Sequence, residues 1–317
     1  MSSEKRKYRG QRIFLVESPD KVQTVSNEQA YAGRAKYYWN EVTNNPNEMR
    51  AIELTDDFFY FPWGVREVKE NRAACLLDIG CGTGHRTDRF QKEMRKHNPE
   101  FWANGCDVSP HMVEIARKTD IEYGKGPVDA KVCDMKHLDY DSGLFDIASI
   151  MYTGLSHVRR EEVPHALAEI RRVIKPGGIL LLDVPLFKRN SVGHQMVQKM
   201  IDLGHMEAKD PESWYREGKE WPEDWREKVD PFRYLVYRRA PDSKNFLYLY
   251  RHDSRMTELV DLLREQGYMV GGDMLVYNND MRPSYPPPSI ASFPARRRDR
   301  LVIGHALHLL AIAARKG

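Results

Sequence analysis

Short apolar runs recur through the middle of the chain, each followed by a turn and then by a stretch whose apolar residues fall three or four apart. Leu76, Leu77 and Ile79 form a run of the kind needed by a strand buried on both faces, and Gly80, Gly82 and Gly84 follow at once. Phe90 and Met94, four apart, then share one helical face, which predicts a helix over Thr83–Lys96. The alternation continues. A second strand is predicted in Phe101–Asp107, then a helix opened by Ser109-Pro110 with Met112, Ile115 and Ala116 inward. A third strand ends in Asp134, a fourth covers Phe145–Met151, a helix covers Pro164–Val173, and a fifth strand, Ile179–Val184, follows the Pro176-Gly177-Gly178 turn. Strands and helices alternating at these lengths predict an α/β fold, a doubly wound and mostly parallel sheet with right-handed crossovers.

The flanks break the rhythm. Residues 1–70 read as a polar, basic tail followed by a cap segment: Tyr31, Ala35, Tyr38 and Val42 line one face of a predicted helix, and an aromatic-rich piece, Glu53–Val65, ends in Pro62 and Gly64. Residues 71–186 are the core. The polar, Trp-rich stretch 187–245, with Met196, Met200, Trp214, Trp221 and Trp225, reads as a helical insertion after the fifth strand. Residues 246–317 complete the sheet: strand Phe246–Tyr250, helix Met256–Gln266, strand Met269–Tyr277, and a last antiparallel strand over His305–Ala314. A Pro-rich loop at 278–300 interrupts them and should be extended. The expectation is a mostly parallel, seven-stranded sheet with a C-terminal antiparallel strand.

Composition adds boundaries. The 317 residues are 41 % hydrophobic, enough for a sizeable core, and 49 basic against 46 acidic side chains leave a net charge of +3, so bulk charge selects no polyanionic partner. No apolar run reaches the roughly 20 residues of a membrane span, and Ile13–Val16 is too short and too late for a signal-peptide core, so a cytoplasmic location with no membrane partner is expected. Cys75, Cys81, Cys106 and Cys133 lie on or beside predicted strands without C-x-x-C spacing, which argues for reduced thiols and against a metal site.

The candidate chemistry lies at the strand ends. A glycine-rich strand-to-helix turn alone also suits a dinucleotide. Here Asp78 precedes the first glycine by two residues, Asp107 ends the next strand and Asp134 the one after, so three carboxylates would line one crevice. A ligand carrying an amine, a ribose diol and an adenine amino group satisfies all three; a dinucleotide pyrophosphate is repelled by them.

Across Ala73–Pro185 these residues resemble the class I S-adenosylmethionine-dependent methyltransferases, whose sheet is Rossmann-like. Leu77-Asp-Ile-Gly-Cys-Gly-Thr-Gly is similar to that family's first motif, Gly105-Cys-Asp-Val-Ser to its second-strand acid, Cys133-Asp-Met to its adenine-side acid, and Ile174-Lys-Pro-Gly-Gly-Ile-Leu-Leu to its fifth-strand entry. The resemblance implies S-adenosylmethionine as cofactor. Gly80 and Gly82 would then pack along its methionine part, Asp78 would help to hold its ammonium, Asp107 its ribose hydroxyls and Asp134 its adenine amine, with Val108, Met112 and Met135 as apolar walls. It also implies methyl transfer by in-line displacement, to a nitrogen or oxygen of a small-molecule acceptor. His157, on the rim after the fourth strand, is either the base or acceptor ligand or a hydrogen-bonded structural histidine. Acceptor contacts are expected from the helix bearing Tyr31, Arg34, Tyr37 and Tyr38 and from the insertion, together forming a lid over the donor sulfur. An RNA or mRNA-cap acceptor is the second reading, carried by the basic N-terminus and Arg296–Arg300. A binding protein that keeps the fold without turnover is the third. The sequence names neither the acceptor nor an oligomeric state.

Overall fold

The computed structural model describes residues 12–16, 27–32, 35–44, 49, 52–53, 55–118, 128–152, 154–186, 206–208, 234–238, 246–250, 256–278, 291–292 and 308–317. The described strands are β1 (Arg12–Val16), β2 (Cys75–Ile79), β3 (Trp102–Asp107), β4 (Asp129–Val132), β5 (Phe145–Ile150), β6 (Ile174–Leu186), β7 (Met206–Ala208), β8 (Tyr234–Arg238), β9 (Phe246–Tyr250), β10 (Tyr268–Asn278), β11 (Ala291–Ser292) and β12 (His308–Lys316). The helices are α1 (Asn27–Ala32), α2 (Ala35–Thr43), α3 (Phe61–Asn71), α4 (His85–Arg95), α5 (Pro110–Lys118), α6 (Val163–Val173) and α7 (Met256–Glu265).

The main sheet runs β4-β3-β2-β5-β6-β12-β10, with the two-residue β11 on its far edge. Strands β2 to β6 pair in parallel, and β12 alone among the seven runs antiparallel to its neighbours β6 and β10. The predicted doubly wound sheet with its antiparallel closing strand is present. Its two faces separate along β2 by the period of a strand. Leu77 and Ile79 pack with Ala148, Leu180 and Leu182 under α6 and α7, through Leu167, Ile170, Leu259 and Leu263. Leu76 faces the other way, with Ile147, Ile179 and Leu181, against Phe59, Tyr60, Phe90 and Met94 of the α3–α4 side. Removing one such side chain, as in Leu181→Ala, costs about 2–5 kcal/mol.

Several expectations are corrected. Ile13–Val16 lies within a strand rather than a tail: β1 pairs in parallel with β7 and antiparallel with β8, whose partner is β9. This second, four-stranded sheet takes Phe246–Tyr250 away from the main sheet, so completion of the latter begins at Tyr268. The described residues of the 187–245 insertion are the strands β7 and β8, not helix; the rest of that segment lies outside the described residues, as do Arg34, Arg296–Arg300 and all of the Pro-rich loop except Asn278 and β11. The physical reason is that Phe14, Val236 and Tyr248 stand opposite one another across β1, β8 and β9, and short apolar and aromatic runs find partners in a ladder whatever their separation in sequence. The cap is two helices rather than one. The aromatic-rich segment Glu53–Val65 does not end at Pro62 and Gly64: a π-helical turn, Asp56–Tyr60, runs straight into α3, whose first turn carries Pro62. Strand β4 stops at Val132, and Asp134 bridges to His137 in the turn beyond. Among the described residues no helix is long and apolar enough to cross a membrane.

Candidate active site

The glycine turn is built by backbone geometry. Gly80, Gly82 and Gly84 have φ of 76°, 54° and 80°, a region that side-chain-bearing residues rarely adopt. The Gly80 and Cys81 N–H groups both donate to the Cys106 carbonyl at 2.7 and 3.0 Å, so the end of β3 shapes the exit of β2. Among the described residues, a Cβ placed on Gly80 would meet nothing within 4 Å, and one on Gly82 would meet only Tyr38, whose Cε1 stands 3.9 Å away. The turn thus offers bare backbone to a ligand on one side and an aromatic ring on the other.

Asp107 locks this turn. Its Oδ2 accepts from the Gly82 N–H and its Oδ1 from the Ser109 N–H, both at 2.9 Å. Burial raises its pKa, and those two donors oppose the rise by stabilising the charged form. Each oxygen retains a lone pair, so the carboxylate can still accept from a ligand diol. Asp78 differs: it is buried, and Thr87 Oγ1 and Ser149 Oγ donate to its two oxygens at 2.5 and 2.9 Å. Burial lifts its pKa to about 6, against the pull of the two hydroxyls and of Arg86. Asp78 therefore ties β2 to α4 and β5, and any effect on a ligand ammonium reaches it as charge beneath the turn. Asp134 lies beyond β4 with its side chain 42 % exposed; Oδ1 accepts from the Lys136 N–H at 2.9 Å, a local turn, and Oδ2 is 3.6 Å from Lys136 Nζ. Met112 is buried, Met135 packs on the main core, and Val108 is exposed at the rim beside Asp107.

On the other edge of the crevice β5 leaves the sheet through Tyr152, a non-glycine residue at φ 58°. Left-handed backbone costs a side-chain-bearing residue about 1–2 kcal/mol, and a specific contact holds it here. Asp183, fully buried on β6, accepts at Oδ2 from the Tyr152 N–H at 2.9 Å and from the Tyr60 hydroxyl at 2.7 Å. Arg86 lies over the Tyr60 ring, 5.2 Å from its centroid, and pairs with Asp56, which Arg89 also approaches at 3.2 Å. Five residues beyond Tyr152, His157 closes a one-turn 3-10 helix, Gly154–His157. Its Nε2 is 3.4 Å from the Tyr31 hydroxyl, and the two rings stand 5.8 Å apart.

Helices α1 and α2 lie across the crevice: Tyr31 meets His157 on this edge, and both helices pack against α5 on the other. Trp39 stacks on His85 at 4.5 Å and 12°, and burial lowers the His85 pKa to about 4, so the ring is neutral at physiological pH. Thr83 Oγ1 and His85 Nδ1 share a hydrogen bond at 2.9 Å, which joins the glycine turn to the stacked pair. The structure thus brings Gly80, Gly82, Asp107 and the cap aromatics to one place, with His157 bound to the cap through Tyr31. Sequence reasoning missed Thr87, Ser149, Ser109, Tyr60, Tyr152 and Asp183. Only Asp183 carries a visible signal, an acid inside the apolar run Ile179–Val184, since a buried carboxylate needs partners.

Residues 76–178 match the family model described as a methyltransferase domain. The ubiquinone/menaquinone biosynthesis C-methyltransferase of Ralstonia pickettii is 31 % identical over 145 residues, 44 % of this chain and 56 % of that protein. Its namesake from Paraburkholderia xenovorans is 32 % identical over 108 residues, 34 % of this chain and 41 % of that one. The chain spans about half the length of the curated relatives it matches, and the similarity falls on the core. A solved structure from Pyrococcus horikoshii OT3 superposes with a TM-score of 0.50 at 14 % identity, covering 86 % of this chain and 93 % of the other, a likeness of fold.

Proposed function

We propose that this chain, whose core is a class I methyltransferase domain, transfers a methyl group from S-adenosylmethionine to a small-molecule acceptor. The observation that carries the reading is Asp107, whose carboxylate is fastened to the Gly82 N–H beside the open backbone of Gly80. The residues present suit that cofactor. A diol can bond the remaining lone pairs of Asp107, the methionine part can lie along Gly80 where no described side chain intrudes, and Asp134, in the turn beyond β4, would face the adenine with Met135 and Val108 as apolar walls. When bound, the cofactor supplies an electrophilic methyl group on a sulfonium. What remains for the protein is to align the acceptor in line with it and to exclude water.

The acceptor atom is part of the proposal. The residues suggest nitrogen or oxygen; the names of the relatives add carbon. One chemistry covers oxygen and carbon together, because a phenol or hydroquinone that loses its proton becomes nucleophilic at oxygen and at the adjacent ring carbons. In this reading His157, whose Nε2 meets the Tyr31 hydroxyl, takes that proton, and the rings of Tyr31, Tyr38 and Trp39 offer an apolar wall to an aromatic acceptor. The cap helices serve as the lid. The RNA reading keeps only the basic runs that suggested it.

Calorimetric titration with S-adenosylmethionine, S-adenosylhomocysteine and NAD tests the cofactor. Binding of NAD without either sulfur ligand overturns the reading. Formation of S-adenosylhomocysteine across amines, phenols, hydroquinones, sugars and short RNAs then ranks the acceptors, and turnover with RNA alone, lost steeply as salt rises, replaces the small molecule.

A further inference from the structure

The cap aromatics do more than cover a crevice. Helix α2 is anchored by Ala35 and Val42, which are 3 % and 1 % exposed, and by the Trp39–His85 stack. Tyr37, on another face, is 55 % exposed. Tyr38 belongs to neither group: it is half-buried, and its Cε1 is the single atom among the described residues that a Cβ on Gly82 would meet within 4 Å. Tyr31 stands nearly perpendicular to it, with ring centroids 6.1 Å apart and planes at 80°, and continues to His157. A row of aromatic rings therefore begins at the glycine turn and ends at the candidate base.

We propose that Tyr38, backed by Tyr31, recognises the positive charge of the methyl donor's sulfonium, so that the N-terminal cap selects the charged donor over its neutral demethylated product. The inference rests on the function proposed above and deepens it. If the diol of the donor lies at Asp107 and its amino-acid part along Gly80, covalent connectivity puts the sulfur between them, beside Gly82, on whose Cβ side the Tyr38 ring approaches through Cε1. The sulfonium is the one part of the donor whose charge disappears on transfer. An aromatic ring attracts a desolvated cation through its π electrons more strongly than it attracts a neutral thioether. The selection therefore favours entry of the charged donor and, once the charge is gone, release of the product, without a carboxylate beside the reacting sulfur.

The test is calorimetry on the full chain with S-adenosylmethionine, S-adenosylhomocysteine and sinefungin, an analogue that carries an amine in place of the methylated sulfur. The quantity read is the ratio of the dissociation constant of the neutral ligand to that of each charged one. Tyr38→Leu is expected to lower both ratios about tenfold while leaving S-adenosylhomocysteine affinity within about twofold. Tyr38→Phe keeps the ring and should keep both ratios. Fluorinated phenylalanines at position 38, which withdraw π density at nearly constant shape, should lower the ratios stepwise, and they carry the test if the leucine variant does not fold. Unchanged ratios in Tyr38→Leu or along the fluorinated series overturn the proposal. So does an equal loss for all three ligands, which makes Tyr38 a packing residue, or a loss in Tyr38→Phe, which makes the hydroxyl the contact. If the unaltered protein binds S-adenosylhomocysteine and S-adenosylmethionine and only the ratios fail to move, the cofactor assignment stands and the charge selection falls. If it binds none of the three, both fall.

Discussion

The two edges of the crevice are made differently. On the edge of β2, β3 and β4, the decisive contact joins Gly82 to Asp107, only 25 residues apart, and the donors are backbone N–H groups whose positions follow from the turn. On the edge of β5 and β6, Tyr60 reaches Asp183 across 123 residues and Tyr31 reaches His157 across 126, and most of the interacting atoms belong to side chains. The first edge is a local motif that any sequence with the right glycines and acid can repeat. The second exists only when remote segments have already packed, so it is free to vary with the molecule that binds there.

The largest effect should fall on the first edge. Asp107→Ala removes both the diol acceptor and the anchor of the Gly82 N–H, and is expected to weaken S-adenosylhomocysteine binding by about 2–4 kcal/mol, read by calorimetry. An unchanged affinity would break the comparison by removing Asp107 from the site. The pH dependence of Asp78 comes next. Its native pKa of about 6 exceeds the 3.8 of the free side chain, so the folded state holds this proton more tightly than the unfolded chain. Its favourable contribution is complete below about pH 4 and lost as pH rises through 6, roughly 3 kcal/mol in all. Urea unfolding of Asp78→Asn, which cannot ionise, should therefore gain about that much relative to the unaltered protein between pH 4 and pH 7. Equal pH profiles would show that Asp78 is not held up by burial.

On the second edge, Asp183→Ala leaves the Tyr152 N–H without its acceptor and the left-handed backbone without its clamp. A loss of about 1–3 kcal/mol of stability is expected in denaturant unfolding, with S-adenosylhomocysteine affinity within about twofold. A large fall in that affinity would show the two edges to be one unit. The smallest effect is expected at Asp134. Half-exposed and engaged in a local turn, it should lower cofactor affinity by no more than about 1 kcal/mol when changed to Ala, again by calorimetry. A loss as large as that at Asp107 would make the adenine side an equal partner in recognition.

Legibility in the sequence follows the same division. Strands β2, β5 and β6 stand out because both faces are buried, which favours apolar runs, and the glycine turn stands out because its φ values disfavour other residues. Asp107 is legible by position. Thr87 and Ser149 are not: a threonine on a helix and a serine on a strand are ordinary until folding brings their hydroxyls to Asp78. Ile13–Val16 reads as part of a tail because a five-residue strand has no period of its own to distinguish it, and its partners lie near residues 206 and 236. Pro62 reads as a stop because proline ends most helical patterns, whereas at the start of a helix it obstructs nothing.

The sequence by itself determined the parallel core, the placing of the glycine turn between β2 and α4, and the acid at the end of β3, because each depends on residues within one strand-turn-helix unit, where hydrophobic period and allowed backbone angles leave few choices. Tertiary structure decided which carboxylates face a ligand and which are tied within the protein, which strands join a second sheet, and where Tyr38 and His157 come to rest. Those outcomes depend on contacts between segments far apart in the chain, and a hydroxyl, an aromatic ring or a short apolar run carries no mark in sequence of the distant partner that will satisfy it.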